Sequence, residues 1–222
     1  MSYTGQVTPG GPSDVRELTH ATIRKACVSE QGNNAYLVTC RATGEQVLID
    51  AADNPDRCLA LISEGTGRLD HLVTTHQHWD HVRALAEVAE RTGATTYAGA
   101  EDADALPLAP DVRLQHGDRV TVGDLTLDVI HLRGHTPGSV ALAYADPSPR
   151  GTVHLFTGDT LFPGGVGNTK RPEQDFDTLY GHVVERFFDV YGDDTWFYPG
   201  HGDDSTLGAE RPHLADWRAR GW

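Results

Sequence analysis

The segment Thr75–Leu85, "THQHWDHVRAL", places three histidines and one aspartate within six residues. These side chains bind divalent cations, and a chance H-x-H-x-D-H is expected only roughly 10⁻⁵ times per position. His76 and His78 are two apart, so an extended backbone turns both to one side, where they can grip one ion. Asp80 and His81 lie just beyond and can face a second ion. Three distant segments carry further ligand types beside glycine: "RGHTPGS" with His135, "FTGDTLF" with Asp159 and "YPGHGDD" with His201. Glycine there lets the backbone approach closely at a sheet edge. Seven nitrogen and oxygen ligands without cysteine suit one or two ions of zinc, iron or manganese, with zinc the default.

The elements around these residues must bring them together. Residues 1–18 begin with a run rich in Gly, Pro, Ser and Thr and read as a flexible lead-in, leaving 19–222 as one domain. "ATIRKACVS", "NAYLVTC" and "EQVLIDA" then read as an antiparallel meander. A helix follows, with Asn54 as N-cap, Pro55 in its first position and Gly65 as its stop. "LDHLVTTH" is a strand running into the histidines. Beyond them Val82, Leu85, Ala86 and Ala89 recur at helical spacing, with Arg83 and Glu87 as an i,i+4 pair and Gly93 as the end. The cluster therefore lies on a strand-to-helix loop.

The second half repeats this order, with "DRVTVG", "LTLDVIHL", "GSVALAYAD" and "TVHLFTGD" as strands. A helix is predicted over 175–191, where Phe176, Leu179, Tyr180, Val183, Val184, Phe187, Phe188 and Tyr191 form a core-facing stripe. "TWFYPG" is a last strand delivering His201, and Pro212 opens a terminal helix. Two similar halves of strands and helices predict an α+β domain of two packed sheets with helices outside.

A chain of 222 residues with 38% hydrophobic content can bury one full core. Its net charge of -14 repels a phosphate backbone, which argues against nucleic acid and for a small-molecule substrate. The opening residues lack a basic-then-apolar leader and no apolar run is long enough to span a membrane, so a cytoplasmic protein is expected. Cys27, Cys40 and Cys58 read as reduced core thiols. The histidines at 20, 71, 116, 131, 154, 182 and 213 read as structural.

The motifs H-x-H-x-D-H at 76–81, G-H-T at 134–136, G-D-T-L-F at 158–162 and G-H-G at 200–202 resemble those of the metallo-β-lactamase-fold hydrolases, and "NNAYLV" and "VLID" resemble that family's opening strands. The resemblance implies an αββα four-layer sandwich with the site at the sheet edges. It also implies roles: His76, His78 and His135 hold one metal, Asp80, His81 and His201 a second, and Asp159 bridges them. Asp50 would support the site without being a ligand.

Within the family the likeness is to the glyoxalase II-like branch, which hydrolyses thioesters of low-molecular-weight thiols through a metal-bridging hydroxide that Asp80 would help orient. The thiol could be glutathione or mycothiol: sixteen Arg against two Lys suggest a GC-rich genome, and "FPGGVGNTKRPEQDF" stands where relatives carry a G-C-G-R type segment contacting glutathione. Asn168, Lys170 and Arg171 in that segment are the candidate substrate contacts. The alternatives are a persulfide dioxygenase with one iron on His76, His135 and Asp159, and a non-catalytic metal-binding member of the fold. The resemblance also allows a homodimer.

Overall fold

The computed structural model describes residues 3–149 and 151–222. Strands β1 (Asp14–Glu17), β2 (Ala21–Cys27), β3 (Asn34–Cys40) and β4 (Gln46–Ile49) form an antiparallel meander. Helix α1 (Pro55–Glu64) crosses back, so β5 (His71–Thr74) joins β4 in parallel. After α2 (Leu85–Thr92), β6 (Thr95–Gly99) and β7 (Val112–Leu114) complete a seven-stranded sheet.

The second sheet contains β8 (Arg119–Val122), β9 (Leu125–His131), β10 (Val140–Ala145) and β11 (Val153–Gly158). A small ribbon of β12 (Leu161–Phe162) and β13 (Gly165–Val166) and helix α3 (Phe176–Val183) follow. Then β14 (Trp196–Pro199) pairs with β11 in parallel and β15 (Ser205–Thr206) forms the edge. Two short helices, α4 (Leu207–Glu210) and α5 (Leu214–Arg220), close the chain.

Alternation along the strands separates three cores. Tyr36 and Val38 face the space between the sheets with Ile23, Val47, Leu142 and Tyr198. Their neighbours Ala35 and Leu37 face outward onto Cys58, Leu61, Leu85 and Val88 of α1 and α2. In the second sheet Ala141, Ala143 and Phe197 pack under Leu179, Val183 and Trp217 of α3 and α5. Helix, sheet, sheet, helix is the expected four-layer order.

Four details depart from the sequence reading. The segment expected as a loose lead-in supplies β1, and Tyr3 packs edge-on against Trp196 and Tyr198. Strands β6 and β7 were not anticipated, because neither has a clean alternating pattern. The helix over 175–191 is α-helical only to Val183 and continues as a π-helical turn, Val184–Phe188, whose wider winding lets the adjacent Phe187 and Phe188 both be buried. Arg83 precedes α2 and pairs with Asp53, while Glu87 pairs with Arg91.

The α1 boundaries agree with expectation: Asn54 caps it by accepting the Arg57 amide, and Gly65 ends it. Cys27, Cys40 and Cys58 are free and buried. Among the described residues no helix is long and apolar enough to cross a membrane.

Candidate metal centre

All seven sequence-derived ligands lie at one end of the sandwich, because each follows or precedes a strand terminus there. Parallel β4 and β5 end side by side, delivering Asp50 and the loop 75–81. Parallel β11 and β14 end together in the other sheet, delivering Asp159 and His201. His135 lies in the turn between β9 and β10. Backbone bonds cross between the sheets at this edge, from Val140 N to Thr75 O at 2.9 Å and from Asn34 N to Gly200 O at 2.8 Å.

Two groups of side chains result. His76, His78 and His135 form one, with ring centroids 4.5 to 4.9 Å apart. Asp80, His81 and His201 form the other, with His81 Nε2 and His201 Nε2 3.2 Å apart and Asp80 Oδ2 3.2 Å from His201 Nε2. Asp159 lies between them: Oδ1 is 3.3 Å from His81 Nε2, and Oδ2 is 3.8 Å from His135 Nε2 and 3.6 Å from His201 Nε2.

Hydrogen bonds on the far side of four of the five rings orient them through Nδ1. His135 Nδ1–H donates to Asn168 O at 2.9 Å, and His201 Nδ1–H to Gln31 O at 3.2 Å. His81 Nδ1–H donates to Asp50 Oδ2 at 2.9 Å. Thr75 Oγ1 gives its proton to Asp50 and so accepts from His76 Nδ1–H at 3.0 Å. Nε2 of His76 and of His135 is then left with a lone pair aimed inward.

His76 Nε2 and His135 Nε2 are buried with no hydrogen-bond partner among the described residues. Buried nitrogens without partners are costly. Cations supply the missing partners, so the two-group donor set fits divalent ions of borderline softness.

The charges follow the same division. Burial, reinforced by the neighbouring imidazoles, holds His76 far below the usual histidine range. His78 is pushed down to about 4 by burial, His135 and Arg171. Burial also opposes charge on His81, but the Asp159 and Asp50 carboxylates outweigh it and raise its pKa. The Asp80 carboxyl is held well below its ordinary value, chiefly by its bond with His201.

Close packing dictates the glycines. A Cβ at Gly200 would fall 2.2 Å from Asp159 Oδ1 and 2.6 Å from the His81 ring. Gly158 has φ +50, and a Cβ there would meet Thr75 Oγ1 at 2.6 Å. Asp50 itself is left-handed, φ 61, a conformation that aspartate tolerates and that aims its carboxylate at Thr75 and His81.

Several supporting groups were not foreseen. Asn33 donates from Nδ2 to the Asp80 carboxylate and carbonyl, both at 3.0 Å. Wholly buried Lys25 donates to Gly202 O at 2.7 Å, next to His201. Asp102 accepts the amide of Gln77 at 2.9 Å. Arg133, just before Gly134 and His135, pairs with exposed Glu101.

The candidate substrate residues stand at the rim. Asn168 contacts His135 through its carbonyl, while its side chain accepts the Lys170 amide at 3.0 Å. Lys170 and Asn168 line a cleft of about 200 Å³ with Val166 and Trp222. Arg171 is exposed and close enough to His78 and His135 to depress both. Trp79, next to His78 in sequence, is 68% exposed.

Comparison with known proteins yields consistent relatives. A model of the metallo-beta-lactamase superfamily matches residues 28–201. The chain is 37% identical over 141 residues to the hydroxyacylglutathione hydrolase of Cereibacter sphaeroides, an alignment covering 64% of this chain and 52% of that protein. It spans about half the length of this relative and of others of the same name. Among solved structures, ETHE1 from Myxococcus xanthus is 31% identical with a TM-score of 0.77, over 89% of this chain and 84% of that one. TTHA1623, solved in a di-iron-bound form, is 33% identical with a TM-score of 0.70, over 84% and 96%.

Proposed function

Since this chain belongs to the metallo-beta-lactamase superfamily, in its glyoxalase II-like branch, we propose that it is a metal-dependent hydrolase of thioesters of a low-molecular-weight thiol. The observation that carries the reading is the convergence of unpartnered, inward-facing Nε2 atoms of His76 and His135 on the Asp159 carboxylate and the second group. His76, His78 and His135 would hold one ion, Asp80, His81 and His201 the other, with Asp159 between. A relative with two irons supports two ions, and keeps iron beside zinc and manganese as metals to test.

When bound, such a pair supplies a water of lowered pKa and an electrophile for the thioester carbonyl. The protein's own groups do the rest. Asp80, ionised and anchored by Asn33, would accept a hydrogen bond from the attacking water and so orient it, its lowered pKa keeping it an acceptor rather than a base. Asp50 keeps His81 in one tautomer throughout. Arg171 and Lys170, cationic at the rim of a chain with net charge -14, attract the acidic part of a thiol such as a carboxylate. The thiolate leaves readily because its conjugate acid has a pKa of about 8.5, so no dedicated general acid is required.

The test pairs elemental mass spectrometry of protein purified without chelators with a panel of glutathione and mycothiol thioesters. Two ions per chain and thioester turnover are expected. A single iron on His76, His135 and Asp159, with oxygen uptake on persulfide substrates, would instead establish a persulfide dioxygenase. The likeness to ETHE1 fits that second reading.

A further inference from the structure

Asp102 belongs to none of the ligand segments, yet two of them are fastened to it. It follows β6 in a turn that folds back, its amide donating to Gly99 O at 3.1 Å, and its side chain is wholly buried. Oδ2 accepts the Gln77 amide at 2.9 Å and the Thr136 hydroxyl at 2.6 Å, and Oδ1 accepts the Gly138 amide at 2.6 Å. Gln77 is the residue between His76 and His78, and Thr136 follows His135. One carboxylate therefore ties together the backbone carrying all three histidines of one group.

The residue type matches the surroundings. An ionised carboxylate offers only acceptors, and the three groups facing it are neutral donors. An amide in its place would turn at least one N–H toward another. The contact is also tight: a Cβ at Gly138 would lie 2.3 Å from the Asp102 amide nitrogen. Burying a carboxylate among neutral donors costs stability compared with an apolar contact. What it provides is a side-chain tie between two loops that are otherwise joined by the backbone bond from Val140 N to Thr75 O.

We propose that Asp102 is a positioning residue that sets the separation of His135 from His76 and His78, and with it the affinity of that group for its ion. The inference rests on the metal-hydrolase reading. It concerns one of the two groups only, because the anchors beside the other are Asn33, Lys25 and Asp50.

The test is a zinc titration against a competing chelator on the full chain, comparing wild type with Asp102→Asn and Thr136→Val, with circular dichroism to verify folding. Wild type should show two binding steps. In Asp102→Asn one step should weaken about 10- to 100-fold and the other change less than about threefold. Thr136→Val, which removes one of the three bonds, should weaken the same step by a smaller factor. Two unchanged steps in folded Asp102→Asn, or equal weakening of both, would overturn the inference and leave Asp102 a purely structural residue. If Asp102→Asn does not fold, Thr136→Val decides: weakening confined to one step supports the proposal, and no change overturns it. A wild-type chain that takes up no zinc, iron or manganese would refute the hydrolase reading and this inference with it.

Discussion

Lys25 Nζ lies 2.7 Å from Asp204 Oδ1 with both side chains closed off from water, and the same ammonium donates to Gly5 O and Gly202 O. Breaking one partner of a buried pair strands the other charge, so Lys25→Met should destabilise the fold by about 3–5 kcal/mol in urea unfolding. Replacing both partners with apolar residues should recover part of that loss. A single variant as stable as wild type would show that Asp204 reaches water when Lys25 is gone.

Asp50 holds the Nδ1 proton of His81, so Asp50→Asn allows the ring to flip or change tautomer. Turnover should fall roughly 10- to 100-fold, with weaker retention of the second ion. Metal content and kcat measured on the same sample check this. Full activity in Asp50→Asn would mean that neighbouring groups suffice to hold His81.

His154 is a core histidine between Tyr144 and Tyr198, bonded to the Tyr198 hydroxyl at 2.8 Å. Burial pushes its pKa down to about 4, below its value of 6.5 in the unfolded chain. Folding thus excludes a proton: its contribution is complete above pH 6.5 and is lost as the pH falls toward 4, by roughly 3 kcal/mol in all. Thermal melts of wild type and His154→Gln between pH 7 and 4.5 should converge at the acid end. Parallel curves would disprove the assignment.

Arg171→Ala should raise KM roughly 3- to 10-fold for thioesters of an acidic thiol, with kcat little changed. Thioesters of a neutral thiol should be unaffected. Equal effects on both would move Arg171 from substrate contact to local electrostatics around His78.

The ligands could be read from the sequence because metal chemistry restricts residue types, and because the fold presents them at strand ends beside glycines that nothing larger can replace, as at Gly200. The two-sheet layout was legible from alternation such as that of Tyr36 and Leu37. The supporting groups were not. Lys25 and Asp102 are ordinary polar residues in unremarkable sequence, Asn33 stood out only as part of the strand-like "NNAYLV", and the roles of all three arise only from contacts across the fold, as between Asp102 and Thr136. Strand β1 escaped notice because its side chains are only half-buried at a sheet edge, leaving no alternation to read.

The order of the ligands along the chain also bears on biosynthesis. A ribosome releases the protein N-terminus first, so His76, His78 and His135 all emerge before His201 has been translated. Under the proposed assignment the tri-histidine group is the first that can capture an ion. The second group is completed only when β14 docks beside β11. Synthesis therefore gives the two groups an order of completion, and under that assignment an ion at the second group can be held only once this last ligand strand is in place.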